Sequence, residues 1–176
     1  SSVMEFKQIE GNKDKLTGNF MIGSSDIGLT LNSPLGKKSS FIFSARRSYL
    51  QFLFSALKLP FLPTYNDFQY KHTIRFNTKN TLNIIGLGAI DDFELNTKVN
   101  DGETDPETLE RNDYILNNLP ISTQWNYTIG ANYTHFSDKS YQTIVLSRNM
   151  LNNESFKYEN NVEVPENLLL NYKSRE

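Results

Sequence analysis

Few residues of this chain have the types and spacing that catalysis or metal binding requires. The 176 residues include two histidines, His72 and His135, and no cysteine. A Ser-His-Asp triad needs a histidine in a polar setting, whereas both histidines fall in the apolar phase of alternating segments. We therefore expect no enzymatic activity and no cofactor. The adjacent carboxylates of Asp91 and Asp92 are weak candidates for a Ca²⁺ site, but acidic residues at a strand end are more often solvated, so we expect no bound metal.

A second set of residues points to ligand binding. Arg46 and Arg47 end an alternating segment and could attract an anion, with pairing to loop acids as the alternative. Tyr49 and Tyr65 lie in the segment that follows, and aromatic side chains supply stacking area in binding sites. Packing of this segment onto its neighbours is the alternative for the tyrosines. We take these four residues as candidates for a ligand mouth.

The composition narrows the class of protein. The formal net charge is −2, which gives no basic stripe of the kind that nucleic-acid binding needs. The most apolar stretch, residues 49–62, is interrupted by Gln51, Lys58 and Pro60. No transmembrane helix is therefore encoded, because a helix needs about 20 largely apolar residues to cross a bilayer.

The elements that position these residues are predicted to be strands, because the dominant period of the sequence is two. Residues 120–137 give the clearest case, since one phase is apolar or aromatic and the other is small and polar. The apolar phase includes Trp125, Tyr127, Ile129 and Tyr133, and the polar phase includes Gln124, Asn126 and Asn132. The pattern predicts eight strands, at residues 2–10, 18–32, 39–47, 67–77, 81–93, 120–137, 140–150 and 155–164.

Short and long connections alternate between these predicted strands. Compact polar turns are expected at 33–38, 77–80 and 137–140, and longer connections at 11–17, 48–66, 94–119 and 151–154. Residues 48–59 could form a short helix before Pro60, and 94–119 is predicted to be a solvated, mobile loop. Short turns at one end and long loops at the other are typical of outer-membrane barrels.

Alternation alone does not decide where the apolar phase points, because a soluble antiparallel sheet alternates too. The polar phase of 120–137 carries no charge, and aromatic residues gather near strand ends, as in interfacial girdles. We therefore predict that Trp125, Tyr127, Ile129 and Tyr133 face lipid. His72 resists this interpretation, because it falls in the apolar phase near mid-membrane depth unless a bulge shifts the phase.

One stretch resembles a known family. GLTLNSPLGKKSSFIFSARRSYL, at residues 28–50, is similar to the early barrel strands of TonB-dependent receptors of the Bacteroidetes type. In that family a strand ends in a short turn containing Ser-Pro or a similar pair, and the next strand begins Ser-Phe and ends Arg-Arg-Ser-Tyr. Residues 4–31 and 59–93 fit the same region. The resemblance covers about the first 95 residues well and depends on the order and spacing of its motifs.

The resemblance implies a fold and a function. The expected fold is all-β, with residues 1–176 forming about eight strands of a larger antiparallel, up-and-down transmembrane barrel. The implied function is TonB-coupled nutrient uptake across the bacterial outer membrane. Such receptors have about 22 strands and a plugged lumen, so the plug and the remaining strands are expected outside this chain.

The resemblance also implies partners for the protein, and two alternative functions remain. TonB would act through the absent plug, outer-membrane lipid would surround the barrel, and a surface lipoprotein or other outer-membrane subunits are further candidates. The nutrient ligand is not identified by the sequence. Two other functions stay open: a secreted β-sandwich module that binds a ligand, and a barrel that serves as a structural subunit of a larger outer-membrane assembly.

Overall fold

The computed structural model describes residues 7–176, which form one antiparallel sheet of eight strands. The strands are β1 (Thr17–Ile22), β2 (Asp26–Pro34), β3 (Ser39–Ser48), β4 (Phe61–Asn77), β5 (Asn80–Leu95), β6 (Ile121–Phe136), β7 (Tyr141–Tyr158) and β8 (Leu168–Arg175). Each strand pairs with the next in sequence. The predicted all-β, up-and-down architecture is therefore confirmed. Strands β1 and β8 do not pair with each other, so the sheet is not closed into a barrel.

The connections differ at the two ends of the sheet. Residues 35–38, 78–79 and 137–140 make short turns at one end, hereafter the short-turn end. The other end, the long-connection end, carries residues 49–60, 96–120 and 159–167, together with the short link 23–25. The predicted gathering of tight turns at one end is thus confirmed, and residues 23–25 are the exception at the other.

Two short α-helices lie at the long-connection end, which also contains the 3-10 helices Glu159–Asn161 and Pro165–Asn167. The predicted helix within 48–59 is confirmed as α1 (Leu50–Ala56), which precedes Pro60. The prediction of a loop over 94–119 was wrong in part, because Pro106–Asn118 forms helix α2. Asp105 caps α2 by accepting a hydrogen bond from the Thr108 N–H, and Pro106 occupies its first turn, both of which favour a helix start. No helix within residues 7–176 is long and apolar enough to span a membrane.

Helix α2 is held against the sheet by a small packed cluster. Val99 and Leu116 are buried, and the buried Asn112 donates to the Oδ1 of Asn100 at 2.9 Å. From β7, the Lys157 ammonium donates to the Leu116 carbonyl near the C-terminus of α2, where a cation is favourable. Contacts within this connection and with β7 therefore hold α2 against the sheet.

Several strand boundaries differ from the prediction. The strand expected at 2–10 is absent over 7–10, and its residues 2–6 lie outside the described part of the chain. The segment 18–32 is two strands, because Gly23 N–H donates to the Asp26 carbonyl and closes a turn. The segments 140–150 and 155–164 do not form two strands, because β7 continues from the first into the second and ends at Tyr158. Residues 151–154, which were predicted to be a longer connection, pair in register with β6.

The strand register sorts the side chains onto two faces. On β6 the apolar phase that contains Trp125, Tyr127, Ile129 and Tyr133 continues across β5 and β7 into Ile84, Ile90, Leu82, Ile144 and Leu146. We call this the apolar face, and the opposite one, which contains Gln124, Asn126 and Asn132, the polar face. Arg148 is an exception on the apolar face, where it stands opposite Ile129.

The apolar face has no protein cover in the described chain. Val99 and Leu116, both at the long-connection end, are the buried hydrophobic residues of 7–176. By contrast, Ile129 is 53% exposed and Leu146 is 77% exposed. A second sheet would bury this face in a sandwich, but the described residues form a single sheet.

His72 lies on the apolar face with no irregularity in the strand around it. It stands opposite Phe41 on β3 and Ile84 on β5 in unbroken register, and the shift in β4 occurs later, between Arg75 and Asn77. The bulge considered for this position is therefore absent. The Nε2 atom of His72 is buried without a hydrogen-bond partner.

Residues 7–12 cross the polar face instead of forming a strand. Lys71 Nζ donates to the Gln8 carbonyl at 2.7 Å, Arg75 pairs with Glu10, and Asn12 N–H donates to the Asn32 side chain. Gly11 is buried directly on the β3 backbone, where a Cβ atom would lie 2.4 Å from the Phe41 carbonyl oxygen. Only glycine allows this close approach.

Candidate functional site

The four mouth candidates do not form one cluster, because consecutive residues of a strand point to opposite faces. Arg46 lies on the polar face, where its Nε donates to Asp67 Oδ2 at 2.7 Å and its Nη1 to Asp26 Oδ2 at 3.5 Å. Arg47 lies on the other face and bonds Asn66 at 3.1 Å. For Arg46, pairing with acids is therefore what the structure shows, although both acids lie on strands, Asp26 on β2 and Asp67 on β4, and not in a loop.

Tyr65 joins Arg46, whereas Tyr49 does not. The Arg46 guanidinium lies 5.3 Å from the centroid of the Tyr65 ring, and the Tyr65 hydroxyl donates to Asp26 Oδ2 at 3.3 Å. The Tyr49 hydroxyl instead donates to the Gly23 carbonyl, and its backbone N–H donates to Ser25. Tyr49 thus ties the start of α1 to the link between β1 and β2.

Arg46 and Tyr65 border an open hollow of about 550 Å³ on the polar face, toward the long-connection end. Its other lining residues are Asp67, Phe68, Gln69, Leu87, Gly88, Ala89, Asp91 and Asn126. The row Arg46–Asp67–Ala89–Asn126 runs straight across four strands. The small side chain of Ala89 keeps the centre of this row low, so the hollow forms between larger neighbours.

The two adjacent aspartates are separated by the same alternation. Asp91 faces the hollow opposite Tyr65, and Asp92 faces the other side opposite Thr64. They cannot ligate one ion together, and within residues 7–176 no group of three or more His, Asp or Glu side chains could hold a metal. Asp91 instead contributes a carboxylate to the hollow.

The hollow is suited to binding. It has one guanidinium, already engaged by two carboxylates, a further carboxylate at Asp91, and amides at Gln69 and Asn126. No Ser, Thr, Cys or His lines it. Such a surface can donate and accept hydrogen bonds and favours a cationic or hydroxyl-rich ligand.

Sequence reasoning missed Asp26 and Asp67 as partners of Arg46, and Asn126 as a further residue of the hollow. Their distance along the chain gives no direct signal, because the contact depends on strand register. The sequence did carry one signal, which is the alternation of side chains along each strand. Asp67 and Asn126 occupy the polar phase of their strands, as Arg46 does.

The four residues predicted to face lipid share the apolar face of β6. The rings of Trp125 and Tyr127 stack at 6.3 Å with 3° between their planes. Tyr133 lies toward the short-turn end, where its hydroxyl donates to Asn80 Oδ1 at 2.6 Å. His135 Nδ1 lies 2.8 Å from the same oxygen, so both aromatic side chains have a polar anchor at the edge of the face.

Three comparisons with known proteins complete the description of the site. A scan against protein-family models gives no match, and searches of curated proteins and of solved structures give none either.

Proposed function

We propose that this sheet is a section of the wall of a β-barrel in the bacterial outer membrane, and that the barrel serves nutrient uptake. The observation that carries the proposal is the apolar face, which is broad, exposed and uncovered by residues 7–176. Lipid is a solvent in which such a face is stable. Strands can cross lipid only in a closed barrel, where every backbone group is paired.

The height of the apolar face fits a bilayer. Trp125 and Tyr133 bound a stretch of nine residues on β6, and a tilted transmembrane strand needs about 9–11 residues to cross the apolar layer. Barrel walls carry an apolar band about 25 Å tall with aromatic residues at both edges. Polar rows bound the face in the same way, with Asp92–Thr123–Glu154 beyond Trp125 and Asn80–His135–Gln142 beyond Tyr133.

Transport is proposed from the resemblance to TonB-dependent receptors together with the hollow on the polar face. In a barrel the polar face lines the lumen, and the hollow around Arg46, Tyr65 and Asp91 would lie toward the long-connection end. Long connections form the outer loops of such barrels. The hollow is then placed to contact an incoming ligand, and the protein acts by binding and passage, without catalysis.

The two alternative functions, a secreted β-sandwich module and a structural subunit, require different structures. A β-sandwich module needs a second layer over the apolar face, and the described residues supply a single sheet. A structural subunit of an outer-membrane assembly needs the same wall but no ligand. The experiment must therefore distinguish a barrel wall that binds a transported ligand from a barrel wall that has only a structural role in an assembly.

Alternation of the strands provides the matched variants for this experiment. The doubly substituted Arg46→Gln/Asp91→Asn removes charge from the polar face, and Arg47→Gln/Asp92→Asn removes the same charges from adjacent positions on the other face. Each is expressed from the native gene in a strain that lacks it, under the growth-limiting nutrient on which the deletion strain grows poorly.

For an importer we expect the polar-face variant to reproduce the deletion phenotype at an unchanged amount in the outer membrane, and the control variant to grow normally. Full growth of the polar-face variant would show that transport does not need the charged residues of the hollow. Recovery of the protein in the periplasmic or secreted fraction would overturn the membrane proposal itself.

A further inference from the structure

A second cavity lies at the short-turn end, away from the hollow at Arg46. It measures about 350 Å³ and lies beside the turns 35–38 and 78–79. Its lining residues are Lys13, Gly36, Lys37, Lys38, Ser39, Arg75, Asn77 and Thr78. Gly36 has a positive φ of 76°, which lets the chain turn sharply and bring two lysines next to Arg75.

The lining carries an excess of positive charge. Of its four cationic side chains, Arg75 and Lys13 share one carboxylate, that of Glu10. Lys38 Nζ donates to the Phe76 carbonyl at 3.0 Å, which uses one of its three N–H groups. Lys37 is exposed and forms no ion pair within residues 7–176. Counting Glu10 against the four cations leaves a surplus of about three charges.

Neutral donors complete the cavity. The Oδ1 atom of Asn77 accepts hydrogen bonds from Lys79 N–H and from Asn80 Nδ2, at 2.9 and 2.8 Å. Its amide nitrogen is therefore the atom left to donate. Thr78, which carries a hydroxyl, lines the same space. Side chains with ammonium, guanidinium, amide and hydroxyl donors around one volume match the oxygens of an oxyanion.

We propose that this cavity binds a phosphate group, carried by a small soluble molecule or by the headgroup of a phospholipid. A volume of about 350 Å³ is at the low end for ligand pockets and leaves room for a substituent on the phosphate. Both sources present the same tetrahedral anion, and both are compatible with a position at the end of the sheet.

Glu10 is an internal anion that pairs with two cations of this site, Arg75 and Lys13. Burial raises the pKa of its carboxyl, but the hydrogen bonds from Arg75 and Lys13 outweigh burial, and the pKa lies below its usual range. Glu10 is therefore ionised at neutral pH and competes for two of the four cations. Removing its charge should strengthen phosphate binding, which is the opposite of what removing a lysine should do.

The first test uses the full chain in phosphate-free detergent at low ionic strength, with glycerol 3-phosphate as the probe in a calorimetric titration. We expect Lys37→Gln/Lys38→Gln to weaken binding about tenfold or more, because two charge-assisted contacts are lost. Glu10→Gln should tighten binding severalfold. The control Lys98→Gln/Lys139→Gln removes the same charge from exposed positions outside the cavity and should leave affinity unchanged.

The second arm uses phosphatidylglycerol, followed by native mass spectrometry of the same four proteins. Retention of this lipid by the wild type and its loss in Lys37→Gln/Lys38→Gln would assign the phosphate to a headgroup. Binding of glycerol 3-phosphate without lipid retention would assign it to a soluble ligand. The proposal is overturned if neither probe binds, or if the control variant loses binding as much as the cavity variant.

Discussion

The polar and apolar faces of the sheet differ in what their side chains contact. On the polar face the chain supplies its own partners: Arg46 pairs with Asp67, Thr73 donates to Asn83, and residues 7–12 cover Lys71 and Arg75. On the apolar face the exposed area of Ile129, Ile144 and Leu146 is covered by no residue of the described chain. Polar pairing is thus internal to the protein, whereas apolar burial needs a surrounding medium.

Because of this contrast, we expect the same substitution to change the free energy of unfolding by different amounts on the two faces. A charged side chain on the polar face meets other polar groups and space. On the apolar face it meets whatever covers that face, which we propose is lipid. The following variants use pairs of positions on one or two neighbouring strands, so that only the face changes.

The largest effect is expected from a lysine at Ala131. This residue lies on the apolar face of β6 between Ile84 and Leu146. In a membrane, Ala131→Lys should lower the free energy of unfolding by roughly 2–4 kcal/mol, because a lipid-facing cation near the bilayer midplane costs that much. Urea titration of the protein in lipid vesicles measures it. The control is Thr128→Lys on the polar face, for which we expect little change in the free energy of unfolding. Equal losses of stability in both variants would contradict the proposed difference between the faces.

Arg148 offers the reverse substitution. It stands on the apolar face opposite Ile129, and its guanidinium forms no hydrogen bond or ion pair within residues 7–176. Arg148→Leu should therefore raise the free energy of unfolding in vesicles, by about 2 kcal/mol. Asn149→Leu, on the polar face at the next position, should give no such gain. A loss of stability in Arg148→Leu would show that the guanidinium has a partner in the native assembly.

The smallest effect is expected at His72, whose buried Nε2 lacks a partner. His72→Leu should raise the free energy of unfolding by about 1 kcal/mol, because a buried polar atom without a hydrogen bond is unfavourable. His135→Leu is the control and should be destabilising, since His135 bonds Asn80. If both variants lose stability, the environment of His72 is polar and the apolar face is interrupted there.

Much of the sheet could be predicted because strand period and turn chemistry are local. Strands β3, β5 and β6 begin and end within two residues of their predicted bounds. Strand β8 was missed because Leu168–Leu170 has no alternation. Helix α2 was missed because its polar composition resembles a loop, although Asp105-Pro106 is a recognisable helix start.

The candidate site was only half predictable, and for a physical reason. Parity along a strand already separates Arg46 from Arg47 and Asp91 from Asp92, so the sequence could have shown that neither pair acts together. The pairing of Arg46 with Asp67 depends on the register between β3 and β4, which no local pattern specifies. The path of residues 7–12 across the polar face depends on Gly11 and on contacts with distant strands.

Fluorescence of Trp125 tests the central claim most directly. It is the one tryptophan of the chain, and it stands at the edge of the apolar face, stacked on Tyr127. The full protein is reconstituted in vesicles of ordinary or brominated phospholipid. A lipid-facing Trp125 should be quenched by brominated lipid and shielded from acrylamide in water. Emission that is the same in both lipids and is quenched by acrylamide would place Trp125 in water and contradict the membrane wall.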